Sequence, residues 1–227
     1  MSSAKQFFSS SIGKKVLMSL TGIFLCTFLV VHLIGNLQLF NNDGGVAFNK
    51  YSVFMTTFPP IKIISYLLYT SILLHAIFGL VITMANRKAR PVKYAVNRPQ
   101  DNSAWASRNM GILGTVLFVF IVVHMGDFWY EYKFGKIPTV MIEGVEYKDL
   151  YAEVAEAFSQ KWYALLYVVC MVAISFHLAH GFQSAFQTLG LNHKKYMPLI
   201  KNIGIWVFAI IIPALFAAMP IYFAFIK

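Results

Sequence analysis

Four apolar segments of this 227-residue chain each contain one histidine well away from the segment ends. They are His32, His75, His124 and His177, and His180 follows within one turn of the last. Ionisable side chains are rare inside a bilayer and usually mark a functional site. Two neutral imidazoles on opposite faces of a haem fill both axial positions, so the iron exchanges electrons and does not bind oxygen. The residue types therefore predict two bis-histidine haem sites.

The segments that carry these histidines are long enough to cross a membrane. Hydrophobic residues make up 58% of the chain and charged residues 12%, whereas a soluble domain has about 25% charged residues. About 20 apolar residues cross the hydrocarbon core as a helix. The sequence predicts an all-α integral membrane protein, one domain over residues 1–227, with transmembrane helices at roughly 16–40, 61–85, 109–132, 161–187 and 200–226.

The first four of these helices are expected to form the haem-binding bundle. The fifth contains Pro213 and Pro220 but no buried ionisable residue, and we expect it to be kinked and to pack on the other four. Between the third and fourth spans, residues 147–158 have apolar residues near helical spacing, which predicts a short surface helix.

Lysine and arginine residues are concentrated in the segments on one side of the predicted spans. Residues 1–15, 86–108 and 188–201 contain 12 of the 19 basic residues and one of the 9 acidic residues. The positive-inside rule therefore predicts that the N-terminus is cytoplasmic and the C-terminus is outside. The basic loop over 86–100 is then cytoplasmic, and lipid headgroups or a docked soluble subunit explain its charge without nucleic-acid binding.

The depth of each histidine follows from the rise of about 1.5 Å per helical residue. His32 and His124 lie about 25 and 24 Å from the inner ends of the first and third helices. His75 and His177 lie about 20 and 24 Å from the outer ends of the second and fourth helices. These depths predict an outer pair, His32 with His124, and an inner pair, His75 with His177.

Glycine residues near the histidines would leave room for a planar macrocycle. Gly79 follows His75 by four residues, and Gly181 follows His177 in the same way. This shared H-x-x-x-G pattern favours His177 as the ligand over His180, which we expect to serve as a donor to a haem propionate or a quinone. Gly22 and Gly114 fall near the predicted inner haem, although close helix packing also explains small residues at such positions.

The two cysteines, Cys26 and Cys170, lie in the middle of predicted spans. They have no CxxC or CxxxC pattern, so they do not predict an iron–sulfur cluster. We interpret them as small apolar packing residues.

Four sequence stretches resemble one known family. They are SLTGIFLCTFLVVHLIGN, LLHAIFGL, FIVVHMGDF and SFHLAHGFQSA, one in each of the first four spans. Over nearly its whole length the chain resembles the single-chain, five-helix, dihaem cytochrome b that anchors succinate dehydrogenase and quinol:fumarate reductase. The resemblance implies that His32 and His124 hold the outer (distal) haem, and that His75 and His177, rather than His180, hold the inner (proximal) one.

The family also implies partners, cofactors and location. A flavoprotein subunit with FAD and an iron–sulfur subunit would bind the cytoplasmic face of a bacterial cytoplasmic membrane. The two b haems would relay electrons between the iron–sulfur subunit and a membrane quinone, often menaquinone in the dihaem branch. The chain alone would not catalyse succinate oxidation. Ser19 matches a serine that contacts a proximal haem propionate in the fumarate-reducing branch.

The quinone site is where the chain departs from the family. The fumarate-reducing branch has an essential glutamate before the second helix, whereas this chain reads AFNKYSVF there, and Asp43 is the acidic residue of that loop. Asp43 and Asp127 are therefore the candidate quinone-site residues.

Two other readings of the histidines remain open. One is a haem-b subunit of another respiratory complex, such as a hydrogenase, a formate dehydrogenase or a bc complex, although bc-type cytochromes place two histidines on each of only two helices. The other is a haem-free transporter with a histidine proton relay, for which acids or broken helices at the bilayer midplane are typical.

Overall fold

The computed structural model describes residues 3–89 and 98–227, and these are mainly helical. Five helices are long and apolar enough to cross a membrane: Ser11–Phe40, Pro59–Lys88, Met110–Phe134, Lys161–Thr188 and Met197–Phe225. The prediction of a helical, multi-pass membrane protein with five spans is therefore confirmed. Arg90 and Lys93 of the predicted cytoplasmic loop lie outside the described residues.

The helices are numbered in chain order. They are α1 (Ser3–Ser9), α2 (Ser11–Asn36), α3 (Val46–Thr57), α4 (Pro59–Lys88), α5 (Trp105–Arg108), α6 (Met110–His124), α7 (Glu131–Phe134), α8 (Leu150–Ser159), α9 (Lys161–Thr188), α10 (Met197–Ile203) and α11 (Ile212–Phe225). Short 3₁₀ helices cover Leu37–Phe40 and Pro99–Asp101. Strands β1 (Thr139–Ile142) and β2 (Val145–Lys148) form an antiparallel hairpin.

Several helices begin at residues suited to that position. The Ser10 hydroxyl accepts a hydrogen bond from the backbone N–H of Gly13 at the start of α2, which satisfies one of the free donors there. Helix α4 begins with Pro59 and Pro60, whose fixed φ suits the first turn of a helix. Proline lacks a backbone N–H, but the N–H groups of a first turn have no acceptor within the helix. The Asp149 carboxylate caps α8 by accepting from Ala152 N–H.

Four spans form a bundle around the histidines. Helix α2 packs against α4 and α9, and α6 also packs against α9 and α4. The fifth span lies against α9, and its α11 portion also contacts α2. The fifth span was expected to pack at the periphery of the other four, but it is well covered by its neighbours, with Ile212, Pro213 and Met219 buried. Helix α4 has no buried residue, so it is the least covered of the four bundle helices.

Two spans contain π-helical segments. One covers Met125–Tyr130, directly after His124, and joins α6 to α7. The other covers Gly204–Ile211 and precedes Pro213 in the fifth span. A π-helical turn is a common cause of helix bending and is frequent at functional sites. The prolines of the fifth span predicted a bend in that span. Neither π-helical segment was predicted from the sequence.

Short elements from the loops between the spans, namely α3, the β-hairpin and α8, form a cap over one end of the bundle. Asn49 of α3 is fully buried; its amide donates to Asp149 Oδ1 at 2.8 Å and accepts from Tyr151 N–H at 3.0 Å. The Lys50 ammonium pairs with the Glu143 carboxylate of the hairpin at 2.8 Å. These bonds join the segment before α4 to the segment after α6. We call this set of bonds the Asn49 clasp.

The predicted surface helix of residues 147–158 differs in detail. Tyr147 and Lys148 belong to β2, and α8 runs over Leu150–Ser159 because Asp149 caps it. One face of α8 is buried, through Tyr151, Val154 and Phe158.

Candidate functional site: two histidine pairs

The structure brings His32 of α2 and His124 of α6 together near the capped end of the bundle. Their ring centroids are 5.8 Å apart and the rings are nearly perpendicular, at 84°. Aromatic rings surround this outer pair. Phe28 stacks on His32 with centroids 5.1 Å apart, and Phe120 stacks on His124 at 5.7 Å. Phe216 of α11 also lies 5.6 Å from His32.

His75 of α4 and His177 of α9 form the second pair. Their centroids are 6.2 Å apart, with an angle of 65° between the rings. His180 is partly buried one turn further along α9, and it is His177 whose ring lies against His75. The structure therefore brings together the same pairs that helical depth predicted.

The ring separations match the distance needed for one iron between two imidazoles. A histidine nitrogen lies about 2 Å from a bound transition metal, and the ring centre is about 1 Å further away, so two opposed axial rings have centres about 6 Å apart. Both ring planes contain the nitrogen–metal axis, so any angle between them is compatible with ligation. The observed 5.8 and 6.2 Å are compatible with a bis-imidazole site and also lie within the 4.5–7 Å range of direct contacts between aromatic rings.

Hydrogen bonds at the Nδ1 atoms indicate which nitrogens are free. His75 Nδ1 lies 3.1 Å from the Met18 carbonyl oxygen and 3.2 Å from Thr21 Oγ1. Metal-bound histidines usually donate their second ring N–H to such an oxygen, which leaves the other nitrogen for the metal. His177 Nδ1 is buried without a hydrogen-bond partner among the described residues. An ordered water or a bound group would satisfy a buried nitrogen of this kind.

The outer histidines also have polar neighbours at Nδ1. Asn36 Nδ2 lies 3.3 Å from His32 Nδ1 and donates to the His32 carbonyl oxygen at 2.7 Å. His124 Nδ1 lies 3.3 Å from Tyr167 Oη of α9. The two pairs therefore have similar spacing but different chemical environments.

The four predicted glycines line space next to the inner pair to different degrees. A Cβ at Gly22 would lie 3.2 Å from His75 Cε1, which is a tight contact. A Cβ at Gly181 would meet His177 Cδ2 and Met110 Cε, both at 4.0 Å. At Gly79 and Gly114 an added Cβ would meet nothing within 4 Å among the described residues. Gly22 thus allows α2 to approach His75, and Gly79 and Gly114 border open space.

The other predicted site residues have simpler positions. Ser19 is buried, and its hydroxyl donates to the Lys15 carbonyl oxygen at 2.9 Å. Asp43 is exposed and accepts from the backbone N–H groups of Gly45 and Ala47 at the start of α3. This explains the acidic residue as a helix-capping one. Cys26 and Cys170 are both buried free thiols, as packing residues would be.

Asp127 lies in the π-helical segment after His124 and is exposed. Its Oδ2 accepts a hydrogen bond from Tyr163 Oη. Tyr163 Oη in turn lies 3.0 Å from Tyr167 Oη, which reaches His124. Sequence reasoning selected Asp127 but missed both tyrosines, although their four-residue spacing places them on one face of a helix.

Sequence reasoning also missed Thr21, Asn36 and the Met18 carbonyl. Serine, threonine and asparagine are common in membrane helices, and a backbone carbonyl has no sequence signal. Among the described residues, no three histidine, cysteine or acidic side chains gather as a protein-only metal site requires. A haem needs only two protein ligands, because the porphyrin supplies the other four nitrogens.

The fold and site together define a class: a multi-pass helical membrane protein with two facing histidine pairs inside its bundle. Comparison with protein-family models gave no matching family, and comparisons with curated proteins and with solved structures gave no match either. The function is therefore argued from the site and from the sequence motifs.

Proposed function

We propose that this chain is the dihaem cytochrome b subunit that anchors a succinate:quinone oxidoreductase in a bacterial cytoplasmic membrane. His32 and His124 would hold the outer b haem, and His75 and His177 the inner one. The observation that carries the proposal is the presence of two facing imidazole pairs with centroid separations of 5.8 and 6.2 Å inside one apolar bundle.

Two alternative explanations of these pairs have less support. A purely structural role does not explain why histidines from four different helices lie in two pairs, with ring centroids 5.8 and 6.2 Å apart. A proton relay would need polar steps between the pairs, whereas the hydrogen bonds of the outer pair among the described residues lead through Tyr167 and Tyr163 to Asp127 and not to the inner pair.

The chain contributes ligands, orientation and an apolar environment. When bound, bis-imidazole haem iron supplies one-electron transfer without an open coordination position. The Met18 carbonyl and the Thr21 hydroxyl hold the His75 ring. Phe28 and Phe120 stack on the outer rings and limit their rotation. The surrounding helices exclude water, and this favours the neutral form of each imidazole, which is the form that binds a metal.

The complete complex is proposed from the resemblance in the first four spans. A flavoprotein with FAD and an iron–sulfur subunit would dock on the cytoplasmic face, where the positive-inside rule places most of the lysine and arginine residues. Electrons would pass between that subunit and a membrane quinone, proposed to be menaquinone. The reaction belongs to the respiratory chain, and succinate oxidation also to the tricarboxylic acid cycle.

A haem count on the purified complex tests the proposal. The chain is expressed in haem-replete cells with an affinity tag, and the dithionite-reduced spectrum, the haem-to-protein ratio and the co-purifying subunits are determined. We expect a b-type alpha band, two haems per chain, and a flavoprotein and an iron–sulfur protein in the preparation. A colourless preparation would refute the haem sites, and two haems with other partners would favour a different respiratory complex.

Histidine variants test whether the counted haems are bound by the two proposed histidine pairs. The double variant His32→Ala with His75→Ala removes one ligand from each proposed site and should abolish the alpha band. The matched control is His193→Ala, because His193 is exposed outside the spans, where its Nδ1 accepts from Lys195 N–H. The control should retain both haems.

A further inference from the structure

Two buried tyrosines connect an exposed carboxylate to a histidine of the outer pair. Tyr163 and Tyr167 lie one turn apart on α9 and are 7% and 5% exposed. Tyr163 Oη donates to Asp127 Oδ2, the two tyrosine oxygens are 3.0 Å apart, and Tyr167 Oη is 3.3 Å from His124 Nδ1. Three consecutive hydrogen bonds therefore run from the protein surface to the ring of His124.

The number of available hydrogens fixes the direction of every bond in this series. An ionised carboxylate only accepts, and each tyrosine hydroxyl has one hydrogen to donate. Tyr163 gives its hydrogen to Asp127, so its oxygen accepts from Tyr167. Tyr167 has then used its own hydrogen, and its oxygen can only accept from His124. The Nδ1 atom of His124 must therefore carry the proton.

We propose that Asp127, Tyr163 and Tyr167 are positioning residues that fix the Nδ1-protonated tautomer of His124 and thereby reserve its Nε2 lone pair for the outer iron. The inference rests on the proposed haem function and assigns roles to residues that contact neither the metal nor a substrate. Partners that hydrogen-bond the second nitrogen of a metal-bound histidine set the ring orientation and raise the basicity of the ligand.

The π-helical segment after His124 contains the carboxylate end of this connection. It begins at Met125 and contains Asp127. A residue three positions after His124 lies near the same face of the helix as the histidine. Asp127 and His124 both contact α9, the first through Tyr163 and the second through Tyr167. The buried Phe158 and the partly buried Phe128 pack against Tyr167.

The midpoint potential of the outer haem is the appropriate measurement. An acceptor at Nδ1–H strengthens the imidazole as an electron donor and stabilises ferric iron, so Tyr167→Phe should shift the outer midpoint to a more positive potential. We expect the ferric-to-ferrous ratio at a fixed potential to fall by up to about tenfold, which is ~59 mV for a one-electron couple. The inner haem should keep its potential and serves as an internal reference.

Variants further along the series separate this role from local packing. Tyr163→Phe leaves Tyr167 and His124 in place but removes the acceptor for the Tyr167 hydrogen, so it should give a smaller shift of the same sign. Asp127→Asn should also give a smaller positive shift, and Asp127→Glu, which keeps a carboxylate, should restore the wild-type potential. The ferric electron paramagnetic resonance signal of the outer haem should change in parallel.

Two matched controls remove simpler explanations. Tyr69→Phe deletes a tyrosine hydroxyl that accepts from Trp129 Nε1 at 2.8 Å and lies outside this series. Glu131→Gln removes a nearby negative charge from α7 without breaking any of the three bonds. Neither should reproduce the shift that Tyr167→Phe gives.

The outcomes distinguish this inference from the proposed function. Absence of haem in the wild-type complex refutes both. Two intact haems with the same outer potential in Tyr167→Phe and Tyr69→Phe refute only the positioning role. If Tyr167→Phe loses the outer haem altogether, Tyr163→Phe decides: a positive shift supports the inference, and an unchanged potential overturns it.

Discussion

The outer and inner histidine pairs have nearly equal ring separations but are supported differently. Aromatic rings stack on both outer histidines, and hydrogen bonds connect His124 to an exposed carboxylate. In the inner pair, His75 is bound by a backbone carbonyl and a threonine hydroxyl, and His177 Nδ1 has no partner among the described residues. Glycines rather than aromatic residues border the inner rings.

This difference indicates that the two pairs depend on different interactions. The outer rings are held by side chains from several helices, so their geometry is largely set by the folded protein. The inner rings have fewer such contacts, because Gly22 and Gly181 lie against them and His177 Nδ1 has no partner among the described residues. We therefore expect the inner site to depend more on its bound group than the outer site does.

The largest expected effect comes from removing one ligand of each pair in turn. His75→Ala should remove one haem equivalent and leave the outer alpha band largely intact, and His124→Ala should do the reverse. Haem content and reduced spectra of the purified complexes measure both. Loss of both haems from either variant, or of neither, would contradict the pairing.

The next comparison concerns the two histidines of α9. His177→Ala should lose the inner haem because the His177 ring faces His75 at 6.2 Å. His180→Ala, one turn away, should retain two haems. The same haem count decides the question, and the reverse pattern would show that His180 is the ligand.

Filling the space beside the inner pair should have an intermediate effect. An added Cβ at Gly79 has no neighbour within 4 Å among the residues that the structure describes, so Gly79→Leu should fold but occupy the volume that a macrocycle would need. We expect loss of most of the inner haem with the outer haem retained, whereas Gly79→Ala should keep most of both. Normal haem content in Gly79→Leu would show that this space is not part of the site.

A smaller effect is expected at the Thr21 hydroxyl. Thr21→Val removes an oxygen 3.2 Å from His75 Nδ1 but leaves the Met18 carbonyl at 3.1 Å. Because one acceptor remains, the inner midpoint potential should move less than the outer one does in Tyr167→Phe. Redox titrations of both variants provide the comparison. An inner shift that equals or exceeds the outer shift would reverse the contrast between the pairs.

The smallest predicted effect lies in the cap beside the outer pair. Burial, with the neighbouring acids Glu156, Glu131 and Asp127, raises the pKa of Glu153. An acid whose pKa is raised by folding favours the folded state at low pH, and that stability is lost as the pH rises through the folded pKa. Glu153→Gln should therefore raise the unfolding temperature at pH 8. The gain in the free energy of unfolding should be less than about 1 kcal/mol.

The pH dependence of that difference is the check. Below about pH 4 the carboxyl is protonated in both folded and unfolded chains, so the gain from Glu153→Gln should disappear. Thermal unfolding of both proteins at pH 8 and at acid pH gives the comparison. A gain of the same size at both values would point to packing rather than charge.

The sequence predicted the spans and the histidine pairs because both depend on simple periodic quantities. Apolar length predicts a membrane helix, and a constant rise per residue places His32 level with His124 and His75 level with His177. Neither quantity requires knowledge of how the helices rotate about their axes. Their assignment as haem ligands stays a prediction.

Other features depend on rotation and local winding, which the sequence pattern does not specify. The Tyr167 contact with His124 and the Tyr163 contact with Asp127 both require α9 to present one particular face to the third span. The hairpin of residues 139–148 was not predicted, because a four-residue strand in a loop has little hydrophobic alternation. The start of α8 was misplaced because the capping role of Asp149 outweighed the apolar spacing before it.

The Asn49 clasp has a consequence for biogenesis. Its two halves, Asn49 and the Asp149–Tyr151 segment, are about 100 residues apart in the chain. At a synthesis rate of about 5–20 residues per second, roughly 5–20 s pass between the emergence of the first half and that of the second. During that interval the early helices lack this closure, so a nascent chain remains open at this end while its second and third spans leave the ribosome.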